Sequence, residues 1–157
     1  MIAIIGCGNP SRQDDGVGPE VIRMLKQRRS ECGEIKLLDT GTDGMAVMFA
    51  ARGCTSLIVI DAASGADPGA VYQVPGDDLA RSHAHGLNLH DFGWQAALHA
   101  GRQMFREAFP VDVTVFLIGA QSLGFGIGLS DVVAASAQKV ASRIEALIAE
   151  RLAQVRA

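Results

Sequence analysis

Apolar positions follow two alternating periods along this chain, and the alternation predicts the order of its elements. Ile2–Ile5 is a short unbroken apolar run closed by Gly6, as in a strand buried on both faces. Val17, Val21, Met24 and Leu25 then recur at helical spacing, which predicts a helix over Val17–Gln27. Asp14 or Asp15 is placed to cap its start, and Pro19 suits its first turn. Ile35–Leu38 reads as a second strand, Gly44–Ala51 as a short helix ending before Gly53, and Leu57–Ile60 as a third, fully apolar strand. Val71–Val74 alternates, as a strand near an edge does. A helix is expected from about His90 to Phe109, with Phe92, Ala96, Ala100 and Met104 on one side. Val113–Ile118 is the next strand, and glycine-rich Leu123–Gly128 is a loop. The last helix runs from Ser130 to near the C-terminus on a stripe of Val133, Val140, Ile144, Leu147 and Ile148.

Strands alternating with helices imply parallel pairing and right-handed crossovers. The expected fold is α/β: a three-layer sandwich in which a mostly parallel, twisted sheet of about five strands carries helices on both faces, as one domain over residues 1–157. In such folds the loops after the carboxyl ends of the strands build the site, where the strand order reverses. Asp15 follows the first strand by way of a loop, and Asp61 ends the third. If the first strand lies beside the third, the two acids flank one crevice.

Composition narrows the partners. The chain is 48% hydrophobic and 20% charged, which predicts a packed globule rather than disorder. A net charge of −3 with scattered Lys and Arg argues against a nucleic-acid footprint. The N-terminal run enters a glycine turn with no basic segment before it, and no apolar run approaches the roughly 20 residues that span a bilayer. Cys7, Cys32 and Cys54 are far apart and odd in number, so a reduced, cytoplasmic setting is expected. Cys7 reads as a small buried residue in a tight turn rather than as a nucleophile.

Gly6-Cys7-Gly8-Asn9-Pro10-Ser11 begins like a dinucleotide fingerprint and then departs from it. The third glycine is Ser11, and the acidic pair Asp14-Asp15 at the helix start would repel a pyrophosphate. One of that pair suffices as a cap, which leaves the other for the crevice. A carboxylate at Asp61, where the chain leaves the core, has its pKa raised by desolvation unless donors compensate; the plainer role is capping a turn. Of the four histidines, His90 and His99 fall in the expected helix, while His83 and His85 stand in the loop before it. Two carboxylates and one histidine with open positions suit a borderline divalent ion such as Zn²⁺ or Ni²⁺. Neither a GxSxG elbow nor an HExxH pair occurs.

The ordered set Gly6-x-Gly8-Asn9, Asp14-Asp15-Gly16-x-Gly18, Asp39-x-Gly41-Thr42-x-Gly44 and Val59-Ile60-Asp61-Ala62 resembles the hydrogenase maturation endopeptidase family. So do His85-Gly86-Leu87-Asn88-Leu89-His90-Asp91, Gly119-Ala120-Gln121 and Gly128-Leu129-Ser130. The resemblance covers nearly the whole chain. It implies a site in which Asp15, Asp61 and His85 are both catalytic and metal-binding, with His83 the rival of His85. It further implies that Asp39, Gly41, Thr42 and Gly44 contact the substrate. Several relatives carry Glu where this chain has the shorter Asp15, and the family often has Pro where it has Ser122.

The implied activity is removal of the C-terminal extension of a nickel–iron hydrogenase large-subunit precursor after nickel insertion. The nickel is carried by the substrate, and another divalent ion could take its place in vitro. The implied partner is that precursor, with no nucleic acid and no membrane insertion. Two alternatives remain at this point: a non-enzymatic nickel-binding accessory protein using the same residues, and a nucleotide-binding domain.

Overall fold

The computed structural model describes residues 1–29, 32–79 and 93–157. Five strands form one sheet: β1 (Ile2–Cys7), β2 (Ile35–Gly41), β3 (Ser56–Ala63), β4 (Val71–Pro75) and β5 (Asp112–Gly119), in the spatial order β2-β1-β3-β5-β4. The β1–β2, β1–β3 and β3–β5 pairs are parallel, and β4 closes one edge antiparallel to β5. The helices are α1 (Val17–Arg28), α2 (Gly44–Ala51), the single turn α3 (Gly76–Leu79), α4 (Gly93–Phe105) and α5 (Asp131–Arg156).

Two hydrophobic clusters, one on each face of the sheet, account for the three layers. Ile2 and Ile4 of β1, with Ile58, Ile60, Phe116 and Ile118, pack under α1 and α5. Ala3 and Ile5, with Leu57, Val59, Val115 and Leu117, pack under α2 and α4. Neighbouring strand residues thus go to opposite layers, and the central strands have no polar face to show water. The stripe expected for the last helix is buried throughout, with Ala137 and Ala141 completing it. Among the described residues no helix is long and apolar enough to cross a membrane.

The sequence expectation is corrected at three places. The helix expected from His90 is seen from Gly93 and ends at Phe105, followed by a short 3₁₀ turn over Arg106–Ala108. Its buried face is Trp94, Ala97, Leu98 and Gly101; Ala96 is exposed and Met104 is 61% exposed, while Phe92 lies outside the described residues. A strict four-residue count from Phe92 misses the face centred on the tryptophan. The third strand does not stop at Ile60 but continues to Ala63 against β5. Neither Asp14 nor Asp15 caps α1: its N-cap is Gly16, and both acids lie in a 3₁₀ turn over Gln13–Gly16 that precedes it.

The approach of α1 to the sheet is set by glycine. A methyl group at Gly18 would stand 2.3 Å from the Cys7 carbonyl oxygen and 2.6 Å from that of Ile60, and one at Gly6 would meet the Gly18 carbonyl oxygen at 2.4 Å. These contacts are backbone on both sides, so no rotamer change relieves them. Gly18→Ala is therefore expected to lower the unfolding free energy by about 3 kcal/mol, as overpacking does, outweighing the gain in helix propensity. Urea denaturation followed by circular dichroism would measure it; an unchanged midpoint would mean that α1 stands off the sheet.

Candidate functional site

The order β2-β1-β3 makes β1 the strand from which the chain first winds to one side and then to the other. Its carboxyl end is consequently the crevice position of a doubly wound sheet. Pairing of β1 with β3 stops at Gly6 and Ile60, one residue before Asp61, so Asp61 pairs with β5 on one side and has no β1 residue opposite it on the other. A cavity of about 170 Å³ lies there, lined by Cys7, Gly8, Asp15, Gly41, Thr42, Gly44, Asp61, Gly93 and Trp94. A larger hollow beside β2, about 490 Å³, is lined among the described residues by Arg29, Cys32, Gly33, Ile35, Lys36, Leu37 and Leu38, none of them a carboxylate or histidine. The smaller cavity is the one that both acids line.

Asp61 is 9% exposed and has two donors. The indole Nε1–H of Trp94 donates to Oδ2 at 2.8 Å, and the Ala62 N–H donates to Oδ1 at 2.8 Å. Burial pushes its pKa up to about 7, with the Asp15 charge adding to the rise; the Trp94 and Ala62 bonds offset part of it. Asp15 is half-buried, and its Oδ2 accepts from the Asn9 N–H at 2.9 Å. This bond folds the first loop over, and Gly8 permits it: φ there is 129°, and a side chain would collide with the Asp15 carbonyl. Cys7 is buried as the sequence suggests, and burial with the neighbouring Asp61 charge raises its thiol to about 12. A thiol so held is no nucleophile at neutral pH.

Asp14 does something different from its neighbour. It is fully buried, and its carboxylate accepts from the N–H groups of Gln121, Ser122 and Ser130 at 2.7–3.0 Å, and from the Ser130 hydroxyl. Burial alone would raise its pKa, but these donors outweigh it and hold the group below the ordinary carboxylate range. The motifs Gly119-Ala120-Gln121 and Gly128-Leu129-Ser130 thus serve in this chain as the receptacle for Asp14.

The residues expected to touch substrate divide. Gly41, Thr42 and Gly44 line the cavity, whereas Asp39 does not; its Oδ1 accepts from the Gly41 N–H at 2.8 Å and shapes the turn. Asp43 caps α2 through Met45 and Ala46 N–H. His83, His85 and His90 lie outside the described residues, and His99 is exposed on α4. Among the described residues no three His, Cys, Asp or Glu side chains are grouped to hold a metal ion. Asp15 and Asp61 are brought together on one cavity. Sequence reasoning missed Trp94, although a lone tryptophan just after a histidine-rich loop was a usable signal.

The sequence model of the family described as hydrogenase maturation protease (HycI) matches residues 19–147. The chain belongs to the hydrogenase maturation protease family. A hydrogenase expression/formation protein, HupM, of Azotobacter chroococcum mcd 1 is 30% identical over 155 residues, spanning 96% of this chain and 72% of the relative. The hydrogenase 2 maturation protease of Escherichia coli (strain K12) is 26% identical over 151 residues, spanning 95% and 91%. Among solved structures, the hydrogenase maturating endopeptidase HybD from E. coli matches with a TM-score of 0.82 and 26% identity, over 96% of this chain and 93% of that one. This hydrogenase maturation protease is accordingly a hydrolase, and its sheet with surrounding helices is the HybD-type fold.

Two outcomes follow for the acidic residues. Asp14→Ala strands three backbone donors and is expected to cost about 3 kcal/mol of stability, whereas Asp15→Ala, half-exposed with one bond, is expected to cost less than about 1. Thermal unfolding of the two variants checks the order, and a reversal would exchange their roles. For Asp61 the folded pKa lies above the unfolded value near 3.8, so its protonated form is the one folding favours. Its stabilising contribution is complete below about pH 4 and is lost as pH rises through about 7. Carboxyl-detected NMR of the metal-free protein should show this group titrating near 7, and higher still in Trp94→Phe, which lacks the indole donor. Titration near 4 in both would contradict the buried geometry.

Proposed function

We propose that this hydrogenase maturation protease removes the C-terminal extension of a nickel–iron hydrogenase large-subunit precursor after nickel insertion, and that Asp15, Asp61 and His85 recognise the nickel which the precursor carries. The observation that supports the reading best is the meeting of Asp15 and Asp61 on one small cavity at the carboxyl ends of β1 and β3. Each oxygen of Asp61 spends one lone pair on its donor and keeps another for a ligand. Among the described residues Oδ1 of Asp15 has no hydrogen-bond partner, and Oδ2 has one acceptor position left.

The donor set fits a metal read in passing. Two carboxylates and an imidazole are hard-to-borderline ligands, and the one thiol in the cavity, Cys7, is held protonated. Such a set engages nickel seated in another protein without the thiolate affinity that would remove it. The nickel carried by the precursor would supply Lewis-acid polarisation of a nearby carbonyl. The protein's own part is to seat that ion against Asp15, Asp61 and His85 and to lay the precursor tail along Gly41, Thr42 and Gly44. That turn is apt for the purpose, because Gly41, at φ 56°, and Gly44 bring no side chain to obstruct an extended peptide.

Mass spectrometry of the precursor before and after incubation tests the reading. The nickel-loaded precursor should lose a C-terminal segment and the nickel-free precursor should not. Asp61→Ala and His85→Ala should each lower kcat/KM by at least about 100-fold. Equal shortening of both precursor forms would rule out metal recognition. Metal-dependent association without shortening would instead make the protein a nickel-binding accessory factor.

A further inference from the structure

Recognition of a folded protein needs more surface than the crevice offers. A specific protein–protein contact covers about 800 Å² on each partner, whereas the cavity holds only a short stretch of extended chain. The partner must therefore rest on the rim. On the rim that follows β5, two of the most exposed large apolar side chains among the described residues stand two positions apart: Phe125, 88% exposed, and Ile127, 91% exposed.

This segment leaves the carboxyl end of β5, so it lies at the same end of the sheet as Asp15 and Asp61. It is also bonded directly to the loop that delivers Asp15. The Gln13 N–H donates to the Gly126 carbonyl at 2.9 Å, the Gly126 N–H donates to the Ser11 carbonyl at 2.9 Å, and the Asp14 N–H donates to the Ser122 carbonyl at 3.1 Å. Arg12 Nε donates to the Leu123 carbonyl at 3.1 Å, and its guanidinium lies 5.5 Å from the centre of the Phe125 ring. With Asp14 anchoring Gln121, Ser122 and Ser130 from below, the loop is pinned at both ends and in the middle. A pinned loop loses little entropy on docking, so its exposed apolar area is available for binding. Two large apolar side chains so exposed and so close on a held loop suit an interaction site.

We propose that Phe125 and Ile127 are the docking contact for an apolar patch on the body of the hydrogenase precursor, beside the tail that enters the crevice. The occupant follows from continuity: one segment, residues 11–15, borders the crevice through Asp15 and carries the loop on its other side. The proposal rests on the functional reading above. It adds a specificity surface that acts on binding and leaves the cleavage step alone.

Steady-state cleavage of the nickel-loaded precursor by the full-length double variant Phe125→Ser/Ile127→Ser tests it. KM is expected to rise about tenfold, the usual effect of removing an apolar interface anchor, with kcat within about twofold of the unaltered protein. Val111→Ser is the control, since Val111 is 86% exposed at the opposite end of β5 and should leave both constants unchanged. Thermal unfolding should be unaffected in all three proteins. An unchanged KM in the double variant, an equal rise in Val111→Ser, or a fall in kcat alone would overturn the docking role. Failure of the unaltered protein to shorten the precursor would overturn the functional reading itself and this proposal with it.

Discussion

The contact of Gly18 with the Cys7 and Ile60 carbonyls governs where everything else in the site can be. Because α1 touches the backbone of β1 and β3 at their carboxyl ends, the turn before it is carried over the gap between those strands. Asp14 and Asp15 occupy that turn and enter the gap from one side, while Asp61 enters from β3. A helix held off by even one methyl group would lift both acids away from Asp61. The coulombic influence of Asp15 on Asp61 is a direct expression of this closeness.

Two adjacent aspartates then divide two tasks that one residue could not perform together. Asp14 turns inward and spends its acceptor capacity on three backbone N–H groups and a hydroxyl, which ties the last loop to the first. Asp15 keeps most of its capacity and remains half-exposed. Asp61 differs from both: buried and with two donors among the described residues, it has its pKa raised instead of lowered. Burial raises both groups, and the charged form is kept where the hydrogen-bond donors outweigh that rise, as they do at Asp14 and not at Asp61.

Much of this was legible in the residues. Apolar runs located the central strands and an alternating one the edge strand β4, and the 3.6-residue stripe located the last helix along with its buried face. The crevice between Asp15 and Asp61 needed only the β1–β3 adjacency, which the alternating pattern made natural. Three features escaped because they depend on contacts far apart in sequence. Asp14 looks like a cap from its position, yet its partners lie 107 to 116 residues away. The face of α4 is set by the indole bond to Asp61, 33 residues distant, which periodicity counted from Phe92 cannot register. The extension of β3 past Ile60 depends on β5, and no local signal in Asp61-Ala62-Ala63 announces a partner strand.

The separation between Asp14 and Ser130 also orders events as the chain is made. Residues 1–63 already contain β1, α1, β2, α2 and β3, and with them both acids of the crevice. Asp14, however, has no donors from the 121–130 segment until that segment has left the ribosome, and an unpartnered carboxylate stays in water. Until then the turn that presents Asp15 is unanchored, and the apolar rim does not exist. The turn that presents Asp15 is thus locked only once the segment just ahead of the final helix has been made.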